Sequence, residues 1–226
     1  MKEPWGMPEV RGAVVAALAE VLARYAEPYD AQRPKVNFAE TSRQWSADRP
    51  PPLAASPPHR QRADHADERP GPRKLLIFCE PQAGWRHGTV TERRTKPDFA
   101  PQLQGLVDER YPQAEGMRVI LDHLNPQGPG SLSEVFEPAA ARRLGEKGEC
   151  HYPPKPGSWL NRAEIELRIL QRQCLKRPIA TEERLKREVA AWEHRRKATP
   201  EPIDWRFTLT AAREKLNRRY PTNSLR

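Results

Sequence analysis

Two carboxylates stand where a metal-dependent phosphoryl-transfer site would need them. Asp122 closes the apolar, β-branched run MRVILD and is followed at once by the Pro/Gly-rich LNPQGPGS, so it reads as the last residue of a strand that reaches a loop. Open α/β sheets collect their ligands at such strand ends. Glu164 lies near the start of the run Trp159 to Leu175, in which Ala163, Leu167, Leu170 and Cys174 recur at helical spacing. A helix packed across the sheet could bring it beside Asp122. The pair suits a hard divalent cation, because Mg²⁺ is typically held by one or two carboxylates together with substrate phosphate oxygens. Two such ions can stabilise both the attacking and the leaving oxygen of an in-line displacement. On spacing alone a plainer reading stays open, with Asp122 capping a turn and Glu164 a solvated helix residue.

The elements that must position these groups are legible along the chain. From Pro8 to Tyr25, Val10, Val14, Val15, Leu18, Val21 and Leu22 recur every three to four residues, which predicts an amphipathic helix. KVNFAE (35 to 40) reads as a strand. The proline-rich, charged stretch from 45 to 73 is expected to be a flexible loop, since it cannot bury enough apolar surface to offset ordering. LLIFCEP (75 to 81), an AGW turn and GTVTER (88 to 93) read as a hairpin, and Asp98 to Arg110 as a helix. After the MRVILD strand a helix is expected from Ser131 to Leu144, a short strand at CHY (150 to 152), the long helix carrying Glu164, and two more helices over 181 to 197 and 208 to 219. A hairpin followed by strands alternating with helices predicts an α/β fold with a mixed sheet flanked by helices.

The totals narrow the function classes. The chain has 226 residues, enough for one sizeable α/β domain with extensions, and its 39 Lys and Arg against 30 Asp and Glu give a net charge of +9. That excess favours an anionic partner such as nucleic acid. No apolar run approaches the roughly 20 residues of a bilayer-spanning helix, and the opening MKEPWGMPEV lacks the hydrophobic core of a secretory signal, so a cytoplasmic protein with no membrane partner is expected. Cys79, Cys150 and Cys174 are far apart and odd in number. They read as reduced thiols, with Cys79 and Cys150 buried in strands.

Several phrases carry a further signal: FCEPQAGWRHGTVTERRTKPDFA, VILDHLN, HYPPKPGSWLNRAEIELRILQRQCL, REVAAWE and DWRFT. From Pro8 to Tyr220 the chain strongly resembles the transposases of the insertion-sequence six-thirty branch, bacterial relatives of the mariner elements. The resemblance implies an RNase H-like core with an Asp, Asp, Glu triad that binds two Mg²⁺ or Mn²⁺ ions and catalyses DNA cleavage and strand transfer in transposition. It implies an N-terminal helix and linker over 1–30, the catalytic domain over 31–180 and a C-terminal helical extension over 181–226. DNA is the implied partner, and a homodimer is compatible with it. Asp122 matches the second triad position and Glu164 the third. The first falls in KVNFAETS, where relatives have an aspartate immediately before the Glu and Thr and this chain has Ala39 before Glu40 and Thr41.

A methyl group cannot coordinate a metal, so weakened metal binding and impaired activity are expected. Glu40 could substitute only if a bulge intervened, because successive strand residues otherwise point to opposite faces. His123, Pro156 and Arg162 also depart from the residues these transposases usually carry, as does the stretch from Ala63 to Arg73. Arg86, His87, Lys155 and Arg162 are the candidate DNA contacts, although packing of a hairpin is the plainer reading of Trp85, Arg86 and His87. The mixed charges of 182 to 197 read as a solvated helix, and Trp192 and Trp205 as core anchors. Relatives place a helix-turn-helix region ahead of the core, and this chain is expected to begin near that junction. The alternative function is a non-catalytic DNA-binding or dimerising remnant.

Overall fold

A computed structural model describes residues 12–43, 71–121, 129–153, 160–176, 179 and 181–216. The expected loop at 45–73, apart from its last three residues, lies outside the described residues, as do Asp122, Lys155 and Trp159.

Nine-residue β1 (Lys35–Arg43) is the middle strand of a five-stranded sheet ordered β3-β2-β1-β4-β5. Strand β2 (Arg73–Glu80) pairs antiparallel to it, and β3 (Trp85–Thr91), at the edge, pairs antiparallel to β2. On the other side of β1, β4 (Met117–Leu121) and β5 (Gly148–His151) run parallel to it. Helices follow as α1 (Gly12–Ala26), α2 (Lys96–Gly105), α3 (Pro138–Lys147), α4 (Ala163–Cys174), α5 (Glu182–Ala198) and α6 (Leu209–Leu216). The sheet is mixed and flanked by helices on both faces, as the alternation of elements predicts. Among the described residues no helix is long and apolar enough to cross a membrane.

Strand alternation divides the core. Val36, Phe38, Leu76, Phe78, Val119 and Leu121 face one side and pack with Phe99, Leu103, Leu132 and Leu144 from α2, α3 and the turns beside them. Three phenylalanines form the centre of this front face, with ring centroids 4.7 Å apart for Phe38 and Phe78, 5.1 Å for Phe38 and Phe99, and 5.9 Å for Phe78 and Phe99. Ala39, Leu75, Ile77 and Cys79 face the other way, against Ala163, Leu167 and Leu170 of α4 and Leu185, Val189 and Trp192 of α5. Beside them Ile120 packs with Leu18, Val21, Leu22 and Tyr25 of α1 and with Ala212 of α6.

Three elements differ from expectation. The helix expected from Ser131 to Leu144 is two pieces, a 3₁₀ stretch Pro129–Glu134 and then α3, whose first residue is Pro138. Proline has no N–H to give to a preceding turn but suits the first position of a helix, so the break falls there. The second hairpin strand begins at Trp85 rather than at Gly88, because Gly84 makes the turn at φ +66°. A Cβ at Gly84 would also lie 2.8 Å from the backbone nitrogen of Glu201, so both conformation and space require glycine. Helix α4 begins at Ala163, and its cap position is Arg162. Cys79 and Cys174 are buried free thiols and Cys150 is half-buried.

Candidate active site

β1 and β4 run in the same direction, with Phe38 level with Leu121. The next residue of β1 is Ala39, fully buried on the back face and paired with Ile77 across the sheet. Asn161 joins this point to α4. Its Nδ2 donates to the carbonyl of Phe38 at 2.6 Å, and its Oδ1 accepts from the N–H of Ala163 at 3.1 Å and from Nδ2 of Asn37 at 3.3 Å. The first turn of α4 is therefore bolted to β1 one residue before Ala39, and Ala163 packs in the same cluster as Ala39. Glu164 follows, half-buried in that first turn, with its N–H bonded to the carbonyl of Asn161 at 3.1 Å. Structure thus brings the start of α4 to the position expected to hold the first aspartate. Asn161 is a residue that sequence reasoning missed; an Asn two residues ahead of an apolar helical run is the signal that could have found it.

Glu40 faces the front. It shares that face with Phe38 and Leu76, and its Oε1 lies 2.6 Å from Nη1 of Arg94. No bulge turns it towards Ala39 in the continuous pairing of β1 with β2. Among the described residues no group of three His, Cys, Asp or Glu side chains is arranged to hold a metal ion. Ala39 offers no donor atom, so the residues present do not fit a two-ion site that needs three carboxylates.

Two of the candidate DNA contacts are corrected. Arg86 is 1% exposed and clamps Glu166, also 1% exposed, through bonds of 2.9 Å from Nε and 2.8 Å from Nη2. Its Nη1 and Nη2 also donate to the carbonyls of Gly84 and Glu201, so this buried guanidinium is committed to the protein's own acceptors rather than turned towards a phosphate. Arg162 is 4% exposed, with its guanidinium 3.7 Å above the ring of Tyr25 and 4.9 Å from that of Trp205. Burial lowers its pKa to about 10, partly offset by Tyr25 and Cys79. A buried cation stacked on two aromatic rings braces α1, α4 and the C-terminal segment rather than presenting itself to DNA.

His87 stays accessible, its Nδ1 3.1 Å from Oε1 of Glu193. It lines an open cavity of about 470 Å³ together with Trp85, Gln102, Arg110, Glu193 and Lys197. Burial opposes ionisation of Glu193, but hydrogen bonds from His87, the N–H of Gly88 and Lys197 outweigh it and hold the carboxyl at about 2. This cavity belongs to the β3 edge, at the end of β3 that pairs with Glu80, whereas Ala39 lies two strands away on β1, level through Ile77 with Gly88.

The family described as DDE superfamily endonuclease matches residues 40–186. The chain belongs to that family. The match spans both Asp122 and Glu164 and begins one residue after Ala39. Among solved structures the Mos1 strand transfer complex is similar with a TM-score of 0.50 at 12% identity, over 86% of this chain and 58% of that one. A likeness at that identity speaks for the fold, and the fold of this DDE domain is RNase H-like. The Mos1 mariner paired end complex with Mn gives a TM-score of 0.48 at 15% identity, over 97% of this chain and 64% of that one. This DDE chain spans about three-fifths of the length of those Mos1 chains. No curated protein matches it.

Proposed function

We propose that this chain is the catalytic-domain portion of a DDE transposase in which metal-dependent cleavage and strand transfer of DNA are disabled at position 39, leaving a domain that holds DNA without cutting it. Membership of the DDE family supports the ancestry. One observation carries the loss: Ala39 is the back-face residue beside the anchored start of α4, while Glu40 is turned to the front and paired with Arg94. In this reading Asp122, the residue after Leu121, and Glu164 remain as the second and third members of the triad, with Ala39 where the first would stand.

Divalent metal ions supply such sites with Lewis acidity and an activated water. The two remaining carboxylates are too few to clamp a pair of ions, and no step of cleavage is assigned to them. What the chain's own residues still do is hold the geometry: Asn161 fixes the helix start against β1, and the Arg86–Glu166 pair fixes the same helix against β3.

The test is nicking of supercoiled plasmid in Mg²⁺ or Mn²⁺ by the chain, by Ala39→Asp and by Ala39→Asp/Glu164→Gln. The unaltered chain should leave the plasmid intact, Ala39→Asp should nick it, and the double variant should not. Metal-dependent nicking by the unaltered chain that Asp122→Asn abolishes would overturn the reading, because another group would then be supplying the third ligand.

A further inference from the structure

We propose that the outward side of α4 is a phosphate-binding ridge, along which the backbone of duplex DNA runs away from the Glu164 end of the helix. The inference rests on the reading above that DNA is the partner, and it specifies where on the domain that partner lies.

Helix α4 changes character along its length. Glu164 and Glu166 occupy its first turn, and the following charged residues are all basic: Arg168, Arg172 and, just past its end, Lys176. Arg168 and Arg172 stand four and eight residues beyond Glu164, on one stripe of the helix, about 6 Å and about 12 Å along its axis. Both are exposed. Among the described residues neither makes an ion pair with a carboxylate. At the far end Arg195 of α5 joins them, exposed and held against α4 by its Nη2, 3.7 Å from Sγ of Cys174.

The front of the molecule sets the contrast. There the exposed basic residues Arg142 and Arg143 of α3 are neutralised, Arg143 by two bonds of 2.5 and 2.9 Å to Asp108 and Arg142 by Glu146 at 2.8 Å, and half-buried Lys96 of α2 pairs with Glu134. A solvated helix with mixed charges is expected to look like that front face. Favourable interaction with the helix dipole accounts for Arg172 in the last turn, but not for Arg168 in the middle. Cations without a carboxylate partner among the described residues, at one-turn spacing and starting one turn from a proposed site carboxylate, are complementary to a strand that presents one phosphate per about 3.4 Å of duplex axis. The ridge therefore serves to hold the duplex beside the site whether or not the site cuts.

The experiment follows binding of a short labelled DNA duplex by anisotropy, in EDTA, over about 50 to 200 mM salt. It compares the full chain with Arg168→Gln/Arg172→Gln and with Arg142→Gln from the front face. Each phosphate contact contributes about 0.9 to the slope of log K against log salt, so the double variant should bind more weakly with a slope shallower by about 2, while Arg142→Gln should match the unaltered chain. All three should melt at the same temperature, since the altered side chains are exposed. Duplex binding with the same slope in the double variant would overturn the ridge and leave the DNA reading standing. Absence of duplex binding by the unaltered chain would overturn both. Equal affinity for anionic lipid vesicles, lost in the same double variant, would also overturn the proposal by showing a surface for any polyanion.

Discussion

The two faces of this sheet bury similar strands but are built for different purposes. In front, three phenylalanines and the leucines of α2 and α3 form an apolar core whose surrounding charges are paired off. Behind, the core is interrupted by polar groups that are fully buried: Asn37, Asn161, Arg86, Glu166 and Arg162. Polar groups in such places cost stability unless every one is bonded. They are concentrated where α4 meets β1 and β3, which is where a catalytic helix would have to be held in one orientation. Front-face packing contributes stability; back-face bonding contributes position.

That contrast can be broken by substitution, and the largest effect is expected at Glu166. Glu166→Ala leaves the Arg86 guanidinium buried without its carboxylate and should destabilise the domain by about 3–5 kcal/mol in urea unfolding, whereas Arg86→Met/Glu166→Leu, which removes both charges, should cost much less. Equal losses in the two variants would show that the pair is not positioning α4 through mutual compensation. On the front, Leu144→Ala, at a site with no exposure, should cost about 3 kcal/mol by transfer and cavity terms. It should leave the DNA affinity of the folded protein unchanged; a weakened affinity would make the front face part of the DNA surface.

A smaller effect sharpens the description of the β3 edge. The carboxyl of Glu193 is depressed from 4.5 to about 2 in the folded state, so its contribution is complete above the ordinary value and lost as pH falls through about 2. By the linkage between pKa and stability this is at most about 3 kcal/mol. Glu193→Gln should therefore be less stable than the parent near neutrality, and the difference should shrink as pH falls from about 4 to about 2. A difference independent of pH would show that the bonds to His87, Gly88 and Lys197 do not depend on the charge.

Much of the frame is legible in the sequence because it is written locally. LLIFCEP and MRVILD are continuous apolar runs, as strands buried on both faces must be, and the stripe of Ala163, Leu167, Leu170 and Cys174 marks the buried side of α4. Pro138 could have placed the helix break that the apolar pattern alone runs through. The back-face polar network was not legible for a different reason. Arg86 looks like a surface cation beside a turn until Glu166, eighty residues away, is folded against it, and no local pattern records that pairing. One clue was present: Glu166 falls among the apolar positions of its helix, where an unpaired carboxylate would be costly. Ala39 is the opposite case. Its physical setting, a small apolar residue in a buried strand, is unremarkable, and its meaning comes only from the family resemblance.

The central claim is that position 39 limits metal binding, and a titration with Mn²⁺ followed by the signal of the free ion tests it without relying on turnover. Loss of even an outer partner of a metal site commonly costs about 10 to 100-fold in affinity, so the missing ligand should cost at least that much. The chain should bind at most one ion, weakly, and Ala39→Asp should bind at least about tenfold more tightly, with the gain reversed by adding Glu164→Gln. If the unaltered chain binds two Mn²⁺ ions as tightly as Ala39→Asp does, the metal site is intact without position 39 and the account is wrong.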